Sequence, residues 1–193
     1  EGDKRILGSL RDWQKQIPSF VEWQLERESR GWQFHDAELK VGFEFTFTDA
    51  HHQEHMVRIE GYTDRLDVHA TNRQAAILDY KHQSPDKIKK RADQLMDDPQ
   101  LLLYTKAISE EHRGTQYPVV EAEWVALKMN LKKKESSARS LTVDSLAEQV
   151  MALDKQLYQD LSAVWSGSSL QAFAPESACR YCEARGICRK GMW

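Results

Sequence analysis

The 193-residue chain has little cysteine: three residues, all between positions 179 and 188. So sparse a set builds no disulfide framework, and an odd, tightly spaced group points to metal before disulfide. No apolar run is long enough to cross a bilayer, so no membrane partner is expected. Nothing at the start reads as a secretory signal, which makes cytoplasmic the expected location. Basic charge is not in excess either, with 27 Lys and Arg against 30 Asp and Glu and a net charge of -3. That balance excludes indiscriminate coating of a polyanion by the whole surface and still allows a local basic channel. No internal repeat or low-complexity tract is present. The 40% hydrophobic and 30% charged content is that of an ordinary globular domain, long enough to bury one substantial core.

What is there reads as alternating helices and strands. Apolar residues at three- and four-residue spacing (Trp13, Ile17, Phe20, Val21, Leu25) predict a helix to about Arg30, interrupted at Pro18 with Ser19 as a new N-cap. Alternation over 37–48 predicts a strand, followed by a second over 56–67 and a third over 75–81. His51, His52 and His55 between the first two read as a solvated turn rather than a metal site. Ser84, Pro85 and Asp86 start a helix that breaks at Asp98 and Pro99, with a second helical segment over 100–111. Residues 118–131 predict a further strand. Residues 140–165 predict one long helix with Leu146, Val150, Leu153, Leu157, Leu161 and Val164 on a single stripe. Trp23, Trp32 and Trp124 are expected in the core. The expected fold class is α/β, a mixed central sheet flanked by helices in the order α-β-β-β-α-β-α.

The chemistry concentrates in two segments, Gly61-Tyr62-Thr63-Asp64-Arg65-Leu66-Asp67 and Ile77-Leu78-Asp79-Tyr80-Lys81. Turn-prone residues 71–74 lie between them, so an antiparallel hairpin is expected. Side chains two apart on a strand share a face, so Asp79 and Lys81 point the same way and Asp64 approaches them from the partner strand. Asp67 falls on the opposite face and is expected to pair with Arg65 or Arg73. Gln100 and Tyr104, four apart, share one face of their helix. Paired carboxylates with a lysine suit phosphodiester cleavage assisted by a divalent metal.

These segments, with Gln100-Leu101-Leu102-Leu103-Tyr104 and the closing Cys179-Arg180-Tyr181-Cys182 and Cys188-Arg189, resemble the PD-(D/E)XK nuclease superfamily and its RecB/AddB-type domains in particular. The resemblance covers roughly residues 20–190. It implies a restriction-endonuclease-like core and a single nuclease domain over 1–193. Within it, 37–131 form the catalytic core, 140–166 the long helix and 174–193 the cysteine tail. The first residue is Glu1, and together with the resemblance this suggests the C-terminal part of a longer protein.

By resemblance, Asp64, Asp79 and the backbone carbonyl of Tyr80 would hold Mg2+ or Mn2+, and Lys81 would orient the attacking water. Gln100 and Tyr104 would approach the site and the DNA backbone. Independently of the resemblance, the basic cluster Lys87, Lys89, Lys90 and Arg91, on a helix that begins a few residues after Lys81, is the candidate to track phosphates. The family's histidine on an early helix has no counterpart, since no histidine precedes His35. Either that histidine lies upstream of this sequence or an acidic residue replaces it, the candidates being Glu22 and Glu26 on a suitable helix and Glu38 at the start of a strand. Cys179, Cys182 and Cys188 would join a cysteine outside this chain around a 4Fe-4S iron–sulfur cluster. The implied function is a metal-dependent DNA nuclease in DNA repair or recombination, beside a helicase-like region or partner subunit. The alternatives are a DNA-binding iron–sulfur module that does not cut, a zinc-binding interaction domain using the cysteines and one histidine, and a compact CRISPR-associated nuclease.

Overall fold

The computed structural model describes the backbone of residues 2–93, 95–111, 115–128, 138–169, 179, 182–186 and 188. Within these, side chains are described from residue 13 on, 185 and 186 apart. The elements run α1 (Gly2–Ser29), β1 (Trp32–Thr48), β2 (Glu54–His69), β3 (Ala75–Lys81), α2 (Pro85–Ala92), a 3-10 turn (Leu95–Asp97), α3 (Gln100–Glu111), β4 (Val119–Ala126), β5 (Arg139–Thr142), α4 (Leu146–Trp165) and a second 3-10 turn (Glu183–Gly186). The five strands form one sheet in the order β1-β2-β3-β4-β5. β2 pairs antiparallel with β3, β3 parallel with β4, and β4 antiparallel with β5. A parallel pair needs a crossover, and α2 and α3 supply it. The sheet is therefore mixed and helix-flanked, as the α/β expectation required.

Two compact units divide the chain: residues 1–45 with 56–156, and residues 46–55 with 157–193. The first holds the central strands. β3 is buried almost throughout, so both of its faces are covered. On one face Ala76 and Leu78 pack with Trp23 and Trp32, with Val125 and Ala138 completing the cluster and Phe20 and Tyr80 against it. This face carries α1, which is tied down by charge. The Arg27 side chain, wholly buried, places Nε 2.5 Å from Asp67 Oδ2 and Nη1 2.5 Å from Glu123 Oε1. Arg65 closes on the same Asp67 with Nε 2.6 Å from Oδ1. Asp67 thus pairs with Arg65 as expected, and with Arg27, which the sequence did not announce.

Several boundaries differ from the expectation. α1 runs through Pro18 without interruption, and Ser19 donates its Oγ hydrogen to the Gln16 carbonyl at 3.0 Å instead of capping a new helix. A proline costs an interior helix one hydrogen bond, and packing of Phe20, Trp23 and Arg27 on the sheet holds the helix together across it. Residues 140–142 belong to β5 rather than to the long helix, because they pair with β4 through Leu141 opposite Trp124 and Ser140 opposite Val125. The helix proper begins at Leu146. β4 ends at Ala126, and residues 129–131 of the expected strand lie outside the described residues.

In the second unit the β1–β2 turn is organised by Asp49. Its Oδ1 accepts hydrogen bonds from the backbone N–H of His51 (2.8 Å) and Gln53 (3.0 Å), and Oδ2 lies 2.9 Å from His55 Nε2. These donors, His55 first, lower the Asp49 carboxyl to about 2. His55 also stacks on Phe47, with ring centroids 5.5 Å apart. His51 and His52 are exposed, as a solvated turn predicts, whereas His55 is half-buried against Asp49 and Phe47 instead.

Candidate functional site

The β2–β3 register pairs Arg65 with Leu78 and Leu66 with Ile77. One step further along that register, Asp64 meets Asp79. There the ladder gives way to a side chain, as Asp64 Oδ2 accepts the Tyr80 backbone N–H at 2.7 Å. The contact fixes the Asp64 carboxylate over the end of β3. Tyr80 contributes backbone here, because its ring turns to the opposite face, against Phe20 and Trp23. Its phenol accepts a hydrogen bond from Arg65 at 3.1 Å.

Alternation along β3 puts Ile77, Asp79 and Lys81 on the face away from α1, the side from which α3 contacts β3 and β4. Asp79 is 1% exposed. Lys81 Nζ lies 2.6 Å from Asp79 Oδ2 and donates to Gln100 Oε1 at 2.8 Å. Gln100 Nε2 in turn donates to the Tyr104 hydroxyl at 2.9 Å. Asp79, Lys81, Gln100 and Tyr104 therefore form one continuous chain of contacts across two elements.

Tyr104 reaches this position because residue 61 has no side chain. A Cβ at Gly61 would fall 2.7 Å from Tyr104 Cε1, closer than carbon atoms approach without displacement. The glycine that opens the Gly61–Asp67 segment is thus a clearance for an aromatic ring on α3.

Burial pushes the Asp79 carboxyl above its usual range, Lys81 pulls it back, and the negative charges of Asp64 and Asp98 push it up again. Its Oδ2 atom is buried and faces Lys81 Nζ at 2.6 Å as an ion pair. A buried carboxylate oxygen with an unused lone pair, opposite a second carboxylate, fits a hard divalent cation. Asp64 and Asp79 are the side chains that would hold it.

Asp98 was missed by sequence reasoning. It precedes Pro99 at the start of α3 and pairs with Arg91. The Arg91 Nε also donates to Gln83 Oε1 at 3.2 Å. Arg91 is therefore held at the edge of the centre, while Lys87 and Lys90 are exposed on α2. The only available signal for Asp98 was its position two residues before Gln100.

Other candidates are not brought to the centre. Glu22 and Glu38 are exposed, and among the described residues no group of three or more His, Cys, Asp or Glu is gathered to hold a metal. Neither glutamate therefore completes a three-carboxylate set with Asp64 and Asp79. Cys179, Cys182 and Cys188 are not joined to one another by disulfides. Their turn is held by hydrogen bonds from Cys182 N to Cys179 O (3.4 Å) and from Cys188 N to Ala184 O (2.8 Å). Arg180, Tyr181 and Arg189 of that motif lie outside the described residues.

A family model described as the PD-(D/E)XK nuclease superfamily matches residues 4–189 of the chain. No curated protein matches it.

Proposed function

The chain belongs to the PD-(D/E)XK nuclease superfamily, and from that premise we infer that it is a metal-dependent DNA nuclease hydrolysing phosphodiester bonds. The observation that carries this reading is the convergence of Asp64, Asp79, Lys81, Gln100 and Tyr104 from β2, β3 and α3. A divalent ion, Mg2+ or Mn2+, would supply charge neutralisation at the phosphate and a more acidic attacking water. Asp64 and Asp79 would hold it, with the Tyr80 carbonyl as a further oxygen.

The chain's own groups account for the remaining tasks. The Lys81 ammonium, fixed between Asp79 and Gln100, can position a water and offset charge on the phosphate. Gln100 orients Lys81 through its Oε1, and Tyr104 holds the amide in that orientation. Lys87, Lys90 and Arg91 would guide the phosphate backbone.

The reading extends to a RecB/AddB-like role in repair or recombination of DNA ends, beside a helicase-like region or subunit, on the strength of the motif order. An iron–sulfur cluster held by Cys179, Cys182, Cys188 and one further thiol rests on the resemblance, with a cysteine spacing suited to such ligation.

The test is cleavage of linear single- and double-stranded DNA with Mg2+ or Mn2+, beside Asp79→Ala and Lys81→Ala. The expected result is metal-dependent cleavage that both substitutions abolish. DNA binding without cleavage, with wild type and variants indistinguishable, would sink the enzymatic reading.

A further inference from the structure

The apolar residues that predict α1 serve two faces of it. Trp23 and Arg27 are buried on the sheet side, with Phe20 packed beside Trp23. Trp13, Ile17, Val21 and Leu25, spaced by four, turn outward and are between 47% and 59% exposed. A helix that buries one side only carries polar residues on the other. Single exposed apolar residues are ordinary, but four large ones in one row make a contact surface.

Geometry and charge decide what covers it. Side chains four apart form a ridge inclined to the helix axis, and two such ridges interlock where helices cross at about -50°. The row is symmetric about the level of Ser19. An antiparallel second copy therefore sets Trp13 against Leu25 and Ile17 against Val21, at both ends alike. The same symmetry carries Lys15, which is exposed, to the level of Trp23, beside the exposed Glu22. Lys15 and Glu22 lie seven residues apart and so share one flank of the row. Each copy's lysine then meets the other's glutamate, twice per pair. A parallel copy would instead set lysine against lysine and glutamate against glutamate.

We propose that α1 pairs antiparallel with α1 of a second copy of this chain, through Trp13, Ile17, Val21 and Leu25, with Lys15 opposite Glu22. An interface that repeats itself about a two-fold axis closes at two copies. Asp79 and Lys81 lie on the face of β3 away from α1. The contact is therefore on the other side of the sheet from the candidate centre, and the proposal does not depend on the nuclease reading.

The test is sedimentation equilibrium from about 1 to 100 µM, where a contact of modest area associates. Wild-type chain is expected to approach twice the 22.4 kDa of one copy at the upper end. Ile17→Glu and Val21→Glu, at half-exposed positions where the fold should hold, are each expected to stay at the mass of one copy. Lys15→Glu and Glu22→Lys each set like charges opposite one another, so either alone should associate about five-fold more weakly. The two mixed in equal amounts should regain wild-type affinity, because each supplies the charge that the other lacks. Circular-dichroism melts close to wild type for all four variants show that lost pairing is not lost fold. A chain that keeps the mass of one copy throughout overturns the proposal and leaves the stripe to a different polypeptide. Pairing that survives Ile17→Glu and Val21→Glu puts the contact elsewhere and overturns it too. Charge variants that pair as wild type does, or a mixture that regains nothing, overturn the antiparallel arrangement.

Discussion

Asp64 Oδ2 accepts the backbone N–H of Tyr80 at 2.7 Å, so the candidate ligand on β2 also closes the β2–β3 ladder. One carboxylate thus has a structural duty and a chemical one, and the two can be separated. Asp64→Asn keeps an acceptor for Tyr80 and removes the charge. Its melting temperature is expected to stay near that of wild type while cleavage falls by about 10²-fold or more. Asp64→Ala leaves the Tyr80 N–H without its partner and should lose about 1–3 kcal/mol of stability as well. Paired thermal melts and cleavage assays of the two variants check this.

Asp79 is expected to trade stability for activity. Burial raises its carboxyl above the ordinary 3.8, with Asp64 and Asp98 adding to the rise and Lys81 opposing it. A carboxyl that holds its proton more tightly folded than unfolded stabilises the fold fully below pH 3.8. That contribution is lost as the pH climbs through the raised folded value. At pH 7, without divalent metal, Asp79→Asn should therefore melt higher than wild type, and the difference should vanish toward pH 3. Added Mg2+ should raise the wild-type melting temperature more than the variant's. A variant that melts lower at pH 7 would contradict the burial argument.

Gly61 and Tyr104 predict a steric defect. The methyl group of Gly61→Ala would meet the Tyr104 ring at 2.7 Å, costing about 1–3 kcal/mol through overpacking and displacing the hydroxyl that holds Gln100. Cleavage should fall with stability, and the second substitution Tyr104→Phe should not restore it. Tyr104→Leu, which removes the ring, should recover stability in the Gly61→Ala background but not activity. Denaturant melts of this double series provide the measurement.

Arg27 anchors α1 away from the site. Burial alone would raise the Glu123 carboxyl, but Arg27 and Ser140 beside it hold it below its usual range. Arg27→Ala strands Asp67 and Glu123 without their shared cation, and breaking such a buried pair costs about 3–5 kcal/mol. Arg65 still pairs with Asp67, so the lower end of that range is expected. Urea unfolding is the measurement, and a loss under about 1 kcal/mol would mean that the network contributes little.

The elements nearest the site were the most legible. β3 spans Ala75–Lys81 and α3 spans Gln100–Glu111, the bounds that alternation and the Asp98–Pro99 break predicted. α1 and β5 were misread for the opposite reason. The cue at Pro18 was local and was overridden by packing on the sheet. Residues 140–142 carry a pattern compatible with either state, and only pairing with Trp124 and Val125 makes them a strand. Arg27 could not be recognised as a core residue, because a buried arginine is intelligible only once Asp67 and Glu123 are beside it.

The order of residues by itself determined that Asp79 and Lys81 share a strand face, that Gln100 and Tyr104 share a helix face, and that Asp64 and Asp67 point apart. Periods of 2.0 and 3.6 residues are properties of the local backbone and need no partner. Which faces meet is a different matter. The Lys81–Gln100 contact, the Gly61 clearance for Tyr104 and the approach of Asp98 join residues from separate elements. Strand register and helix packing set those distances, and both are decided by the burial of one core rather than by any single segment.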